Sequence, residues 1–106
     1  MNKGETGAKK CKKGKLRVDL VTTEMFEELA KVLTFGSSKY GDRNWEKGLT
    51  LCANHLAAAK RHILEWEKGV DLDHESGLSH LSHALANLGM CVTQIQRGRK
   101  DLDDRL

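Results

Sequence analysis

Six apolar residues, Leu78, Leu81, Leu85, Leu88, Val92 and Ile95, recur at alternating spacings of three and four in the last third of the chain. That spacing belongs to an α-helix with one apolar stripe suited to packing on another helix. It predicts a helix starting near Ser76 or Leu78 and ending near Arg97-Gly98. Two more stretches share the period. One helix is expected from Thr22 or Thr23 to about Ser38, with a threonine N-cap and acidic first turns at Glu24, Glu27 and Glu28. Phe26, Leu29, Ala30 and Leu33 would face its core side, with Glu24, Glu28 and Lys31 opposite. Another is expected from about Thr50 to Lys68, stopped by Gly69. Leu51, Cys52, Leu56, Ile63 and Leu64 give it apolar surface, and Ala57-Ala58-Ala59 gives high helix propensity.

Proline is absent and the links are short. The expected fold is therefore all-α, a small bundle of three to four main helices. Three helices bury less than four, so association into a homodimer or homotetramer is expected to complete it. Leu16–Val21 alternates apolar and polar residues with no partner strand elsewhere, and is expected to lie as an extended arm on the helices. The charged tail from Lys100 to Leu106 is expected to fray or to continue as a short helix.

A chain of 106 residues fits one domain. No window approaches ~18 apolar residues, and no signal-peptide pattern is present, so the expected compartment is the cytoplasm. Cys11, Cys52 and Cys91 form no CxxC pair and are expected to be reduced thiols, the last two packed in helices. Residues 1–19 hold seven basic residues against two acidic ones, and the remainder 11 against 13. The folded part is thus slightly acidic. Residues 1–14, rich in glycine and lysine, read as a disordered basic leader before a single domain over 15–106.

The densest chemistry lies between Asp71 and Asn87. At about 100° per residue, His80, His83 and Asn87 share one stripe of the third helix, roughly 130° from the apolar seam. They form a polar edge able to meet a neighbouring helix. Asp71, Asp73 and Glu75 alternate just before it and suit either dipole compensation or a hard divalent cation. His55, His62 and Trp66 form a second stripe, spaced seven and four apart. The loop from Lys39 to Gly48 sets Tyr40 and Trp45 beside Arg43, Asn44 and Lys47: a ring to stack on, cations for phosphate and an amide for a base edge. Each signal alone also has a plain structural role, as solvated face, helix stop or helix-contact histidine.

Taken in order, Lys15-Leu16-Arg17-Val18-Asp19-Leu20, Lys39-Tyr40-Gly41-Asp42-Arg43-Asn44-Trp45-Glu46-Lys47-Gly48, Arg61-His62, Trp66, Asp73-His74-Glu75-Ser76-Gly77-Leu78, His80-Leu81-Ser82-His83-Ala84 and Asn87 resemble the phage dATP/dGTP diphosphohydrolase (MazZ-like) family. The resemblance runs from about Lys15 to Val92. It implies the all-α nucleoside triphosphate pyrophosphatase (MazG-like) fold. It also implies Mg²⁺- or Mn²⁺-assisted hydrolysis of a purine deoxynucleoside triphosphate to the monophosphate and pyrophosphate. On this reading Glu24, Glu28, Asp73 and Glu75 hold the cation, and His62, His80 or His83 binds phosphate or moves a proton. Lys39, Arg43 and Arg61 neutralise the triphosphate, Trp45 stacks on the base, and Asn44 reads its edge, with Asn87 also in the binding set.

One departure stands out. Glu24 and Glu27 satisfy the superfamily's ExxE, but no later ExxD follows, because Lys68 stands three after Glu65 and Leu78 three after Glu75. The metal set therefore differs, with Asp73, Glu75 and the histidines as candidates. It leaves open nucleotide binding without hydrolysis, and a structural helical oligomer without a site is a rival reading. A nucleic-acid-binding module using the lysine leader is a weaker one, since the folded part is acidic.

Overall fold

The computed structural model describes residues 7–10 and 13–105. Three α-helices make up the domain: α1 (Thr23–Tyr40), α2 (Ala57–Glu67) and α3 (His80–Gln96). Among the described residues there is no strand, only an isolated bridge between Leu72 and Ser79. The all-α expectation holds. No helix among these residues is long and apolar enough to cross a membrane. The expected leader lies in large part outside the described residues, as does Cys11.

Local chemistry sets the helix ends. The Thr22 hydroxyl accepts from Met25 N at 3.1 Å, and Gly41, at φ 96°, closes α1 by donating to Ser37 O at 2.8 Å. A π-helical stretch, Leu51–Leu56, leads directly into α2. Its first turn has no cap of its own. Instead the Asp104 carboxylate accepts from Cys52 N at 2.7 Å and Ala53 N at 3.0 Å. The tail is thus docked rather than frayed: Lys100–Leu102 forms a short 3-10 turn, and Leu102 is buried with Leu51 and Cys91, against which Leu56 packs. Gly48 permits this closure. At φ 124°, a Cβ there would stand 2.7 Å from Arg99 Nη2 and 3.2 Å from Leu102 Cδ2.

α3 begins later than the periodicity suggests. Asp73 Oδ2 accepts from both Ser76 N and Ser76 Oγ at 2.9 Å, and Asp73 N donates to Leu78 O at 2.8 Å. This turn holds residues 73–78 out of the helix, and Ser79 becomes the N-cap.

α3 is the central element, packed against α2 with its π-helical lead-in and against α1. The buried faces differ from those expected. On α1 the inward residue is Val32, 6% exposed, whereas Phe26 is 69% exposed and Ala30 and Leu33 are exposed too. Glu28, expected on the outer side, is half-buried and bonded to α3. On α3 the inward face is His80, His83, Ala84, Cys91 and Gln94. The seam turns outward: Leu81, Leu85, Leu88, Val92 and Ile95 are exposed, and Leu78 is half-buried. The buried positions are taken instead by small and polar side chains, among them Ala59, Ala84 and Ala86. The Leu16–Val21 arm also differs. Its apolar residues are exposed, and an Arg17–Asp19 pair at 2.7 Å closes it on itself beside the Val18–Leu20 turn.

Candidate functional site

A cleft of about 1140 Å³ opens between α1, the loop after it, α2 and α3. Its walls carry ten of the residues expected in a site: Lys39, Arg43, Asn44, Trp45, Arg61, His62, Asp73, Glu75, His83 and Asn87. His80, Glu24 and Glu28 are not among them.

One wall is made of imidazoles and a carboxylate. His62 on α2 stacks flat on His83 of α3, ring centroids 4.5 Å apart and planes within 10°. Its Nδ1 meets His80 Nδ1 at 2.8 Å, so in a metal-free pair one ring donates and the other accepts. His80 is buried behind His62. His83 Nε2 lies 2.7 Å from Ser76 Oγ, whose hydroxyl donates to Asp73. His83 is therefore the donor to Ser76, with its proton on Nε2. Phe35 of α1 meets His83 edge-on at 6.1 Å. Donor atoms of His62, Asp73 and His80 lie within 4.8 Å of one another.

Electrostatics follow from this crowding. Burial holds His62 below its ordinary value, and the neighbouring His83 and His80 push the same way. Burial also lowers His83, against the pull of Asp73. For Asp73, burial pushes upward, but the two hydrogen bonds from Ser76 outweigh it and leave the carboxyl below its ordinary value. His62 and His83 are neutral imidazoles beside the Asp73 carboxylate at neutral pH.

Cationic and aromatic side chains line the same cleft. Lys39 pairs with Glu75 at 2.5 Å, which raises the lysine's affinity for its proton. Arg43 sits in the left-handed region at φ 53°, an uncommon conformation for a side chain of its size, and is largely exposed. It opens the Asn44–Lys47 turn that carries Asn44 and the half-buried Trp45. Gln94 of α3 donates to Trp45 O and Glu46 O at 3.4 Å, and Arg97 pairs with Glu46 at 2.6 Å, tying this loop to α3. Arg61 is exposed on the cleft and has no ion pair among the described residues.

The remaining expected residues stand apart. Glu28 accepts from Ser82 Oγ at 2.9 Å and from Lys31 Nζ at 2.8 Å. Glu24 is exposed in the first turn of α1. Neither joins Asp73 in a group of converging donors. Two residues absent from the expected set bear on the site, one lining the cleft and one behind its wall. His55 lines it, 2% exposed, with no hydrogen-bond partner at Nε2. Its spacing of seven from His62 was the available signal. Ser76 orients both Asp73 and His83.

A helical cleft lined by a ring, cations, carboxylates and imidazoles is equipped to hold a phosphorylated aromatic ligand. The chain matches the family described as dATP/dGTP diphosphohydrolase, N-terminal, over residues 5–105. It is 42% identical over 96 residues to a dATP/dGTP diphosphohydrolase of Salmonella phage PMBT28, covering 91% of this chain and 32% of that protein. No solved structure matches the chain. The chain belongs to the dATP/dGTP diphosphohydrolase N-terminal family. It spans about a third of the length of the curated relative it matches.

Proposed function

We propose that the chain hydrolyses purine deoxynucleoside triphosphates, dATP or dGTP, to the monophosphate and pyrophosphate with the help of Mg²⁺ or Mn²⁺. The observation that carries this reading is the single cleft joining Lys39, Arg43, Asn44, Trp45 and Arg61 to His62, His83, Asp73 and Glu75. The name of the phage relative supports the substrate class.

In this reading Trp45 stacks on the purine and Asn44 meets its edge, while Arg43, Arg61 and Lys39 neutralise the phosphates. Asp73 and Glu75 would hold the cation, which when bound polarises phosphate and lowers the pKa of water. The donor chemistry fits: Asp73 is ionised, and Glu75 reaches the cleft through an exposed pair that a cation can displace. His83 is held neutral and can take a proton from water. Such an enzyme would serve phage nucleotide metabolism in the host cytoplasm, as a homodimer or homotetramer. Incubation with each dNTP and ³¹P NMR of the products tests the bond cut. Pyrophosphate is expected, and inorganic phosphate with a diphosphate would overturn the reading.

The missing ExxD pair and the 32% coverage of the relative favour one second reading, a module that binds the nucleotide while another part of a longer protein cuts it. It predicts thermal stabilisation by dGTP with Mn²⁺ but no turnover.

A further inference from the structure

We infer that His62, Asp73 and His80 form a binding site for a nitrogen-preferring divalent transition metal, such as Co²⁺, Ni²⁺ or Zn²⁺, in preference to Mg²⁺. Their ligand atoms lie within 4.8 Å of one another and come from three separate elements, α2, the 71–79 turn and the first residue of α3. His62 Nδ1 and His80 Nδ1 face each other at 2.8 Å, His80 buried and His62 half-buried. Metal–nitrogen bonds of about 2.0–2.1 Å at a tetrahedral angle put two nitrogens roughly 3.3 Å apart. The rings need part only slightly for an ion to replace the shared proton.

The supporting groups are those of a built site. Asp73 Oδ2 is fixed by two bonds from Ser76, which leaves Oδ1 without a hydrogen bond among the described residues. Ser76 is held in turn by His83 Nε2 at 2.7 Å, and His83 stacks on the His62 ring and sets its plane. Such outer contacts orient ligands in metal centres. Two imidazoles and one carboxylate suit first-row transition ions, whereas Mg²⁺ prefers an octahedron of oxygens and keeps its water. His62 and Asp73 border the cleft, so the ion would face a bound ligand there. The role of the site rests on the nucleotide reading of the cleft; its existence does not.

The test uses the full chain, stripped with chelator and titrated with CoCl₂ without nucleotide. Visible d–d absorption and calorimetry should report one Co²⁺ per chain, displaced by Zn²⁺ and not by millimolar Mg²⁺. His62→Asn and His80→Asn should each weaken Co²⁺ at least about 10-fold, and His74→Ala, at an exposed position, should not. Should the buried His80 variant fail to fold, Zn²⁺ titration of the wild type by imidazole ¹⁵N NMR gives the same answer, with the Nδ1 signals of His62 and His80 expected to move. Absence of Co²⁺ binding, binding indifferent to these variants, or Mg²⁺ competing as an equal would overturn the site. Co²⁺ binding at these histidines without dNTP turnover would leave the site standing and sink the enzyme. Turnover in Mg²⁺ with no Co²⁺ bound would do the reverse.

Discussion

Ser82 on α3 donates a 2.9 Å hydrogen bond to Glu28 on α1, inside the contact that brings α1 to the cleft. Lys31 and then Ser82 hold the Glu28 carboxyl below its ordinary value. A carboxylate so lowered adds stability above its unfolded pKa and loses it as pH falls through the folded one. Ser82→Ala should lower Tm at pH 7 and speed amide exchange in α1. Glu28→Gln should do the same, with less than additive loss in the double variant. Full additivity would show that the bond does not hold α1 in place.

The docked tail makes a second prediction. Leu102→Ala empties a buried position beside Leu51 and Cys91 and should cost about 2–5 kcal/mol in urea unfolding. Gly48→Ala should also destabilise, by about 1–3 kcal/mol, because it meets both a positive φ and the Arg99–Leu102 contact. A neutral Leu102→Ala would mean that the tail is not part of the core.

Stability should depend on pH through His55. Burial holds its imidazole below its ordinary value, more than the bond with Asn87 restores. The unfolded chain takes up this proton near pH ~6.5 and the folded chain does not. Stability is therefore full above that pH and falls as pH drops through it, by at most about 1.4 kcal/mol per pH unit for one proton. His55→Phe loses the bond with Asn87, so it should lower Tm at pH 8 by a constant amount, and it should flatten the fall in Tm between about pH 6.5 and 5. An unchanged slope would assign the effect to other groups.

The outward seam predicts self-association. Leu85→Glu, at an exposed position, should change Tm of the isolated fold little and shift sedimentation toward monomer. A wild-type chain that sediments as a monomer at high concentration would exclude this.

Helix ends were legible because caps are local: Thr22, Gly41 and Gly69 act on residues a few positions away. Buried faces were not. Phe26 and Val32 both suit a helix core, yet Val32 is buried and Phe26 exposed, because the face a helix buries is set by where its neighbours lie. The delayed start of α3 depends on Asp73 choosing Ser76 as partner, and the Asp104 cap spans 52 residues to Cys52. In the site, helical phase correctly aimed His80 and His83 at a neighbouring helix, and His62 is what they meet. Glu24 and Glu28 follow the same spacing rules, yet spacing carries no information on where a helix axis lies.

The most direct measurement is the initial rate of pyrophosphate release from dGTP and dATP, in Mg²⁺ and in Mn²⁺, by the chain and by Asp73→Asn side by side. Release by the wild type and a loss of about 100-fold or more in the variant are expected. No release from any dNTP with either ion, or equal rates for the two proteins, would contradict a catalytic cleft built around Asp73.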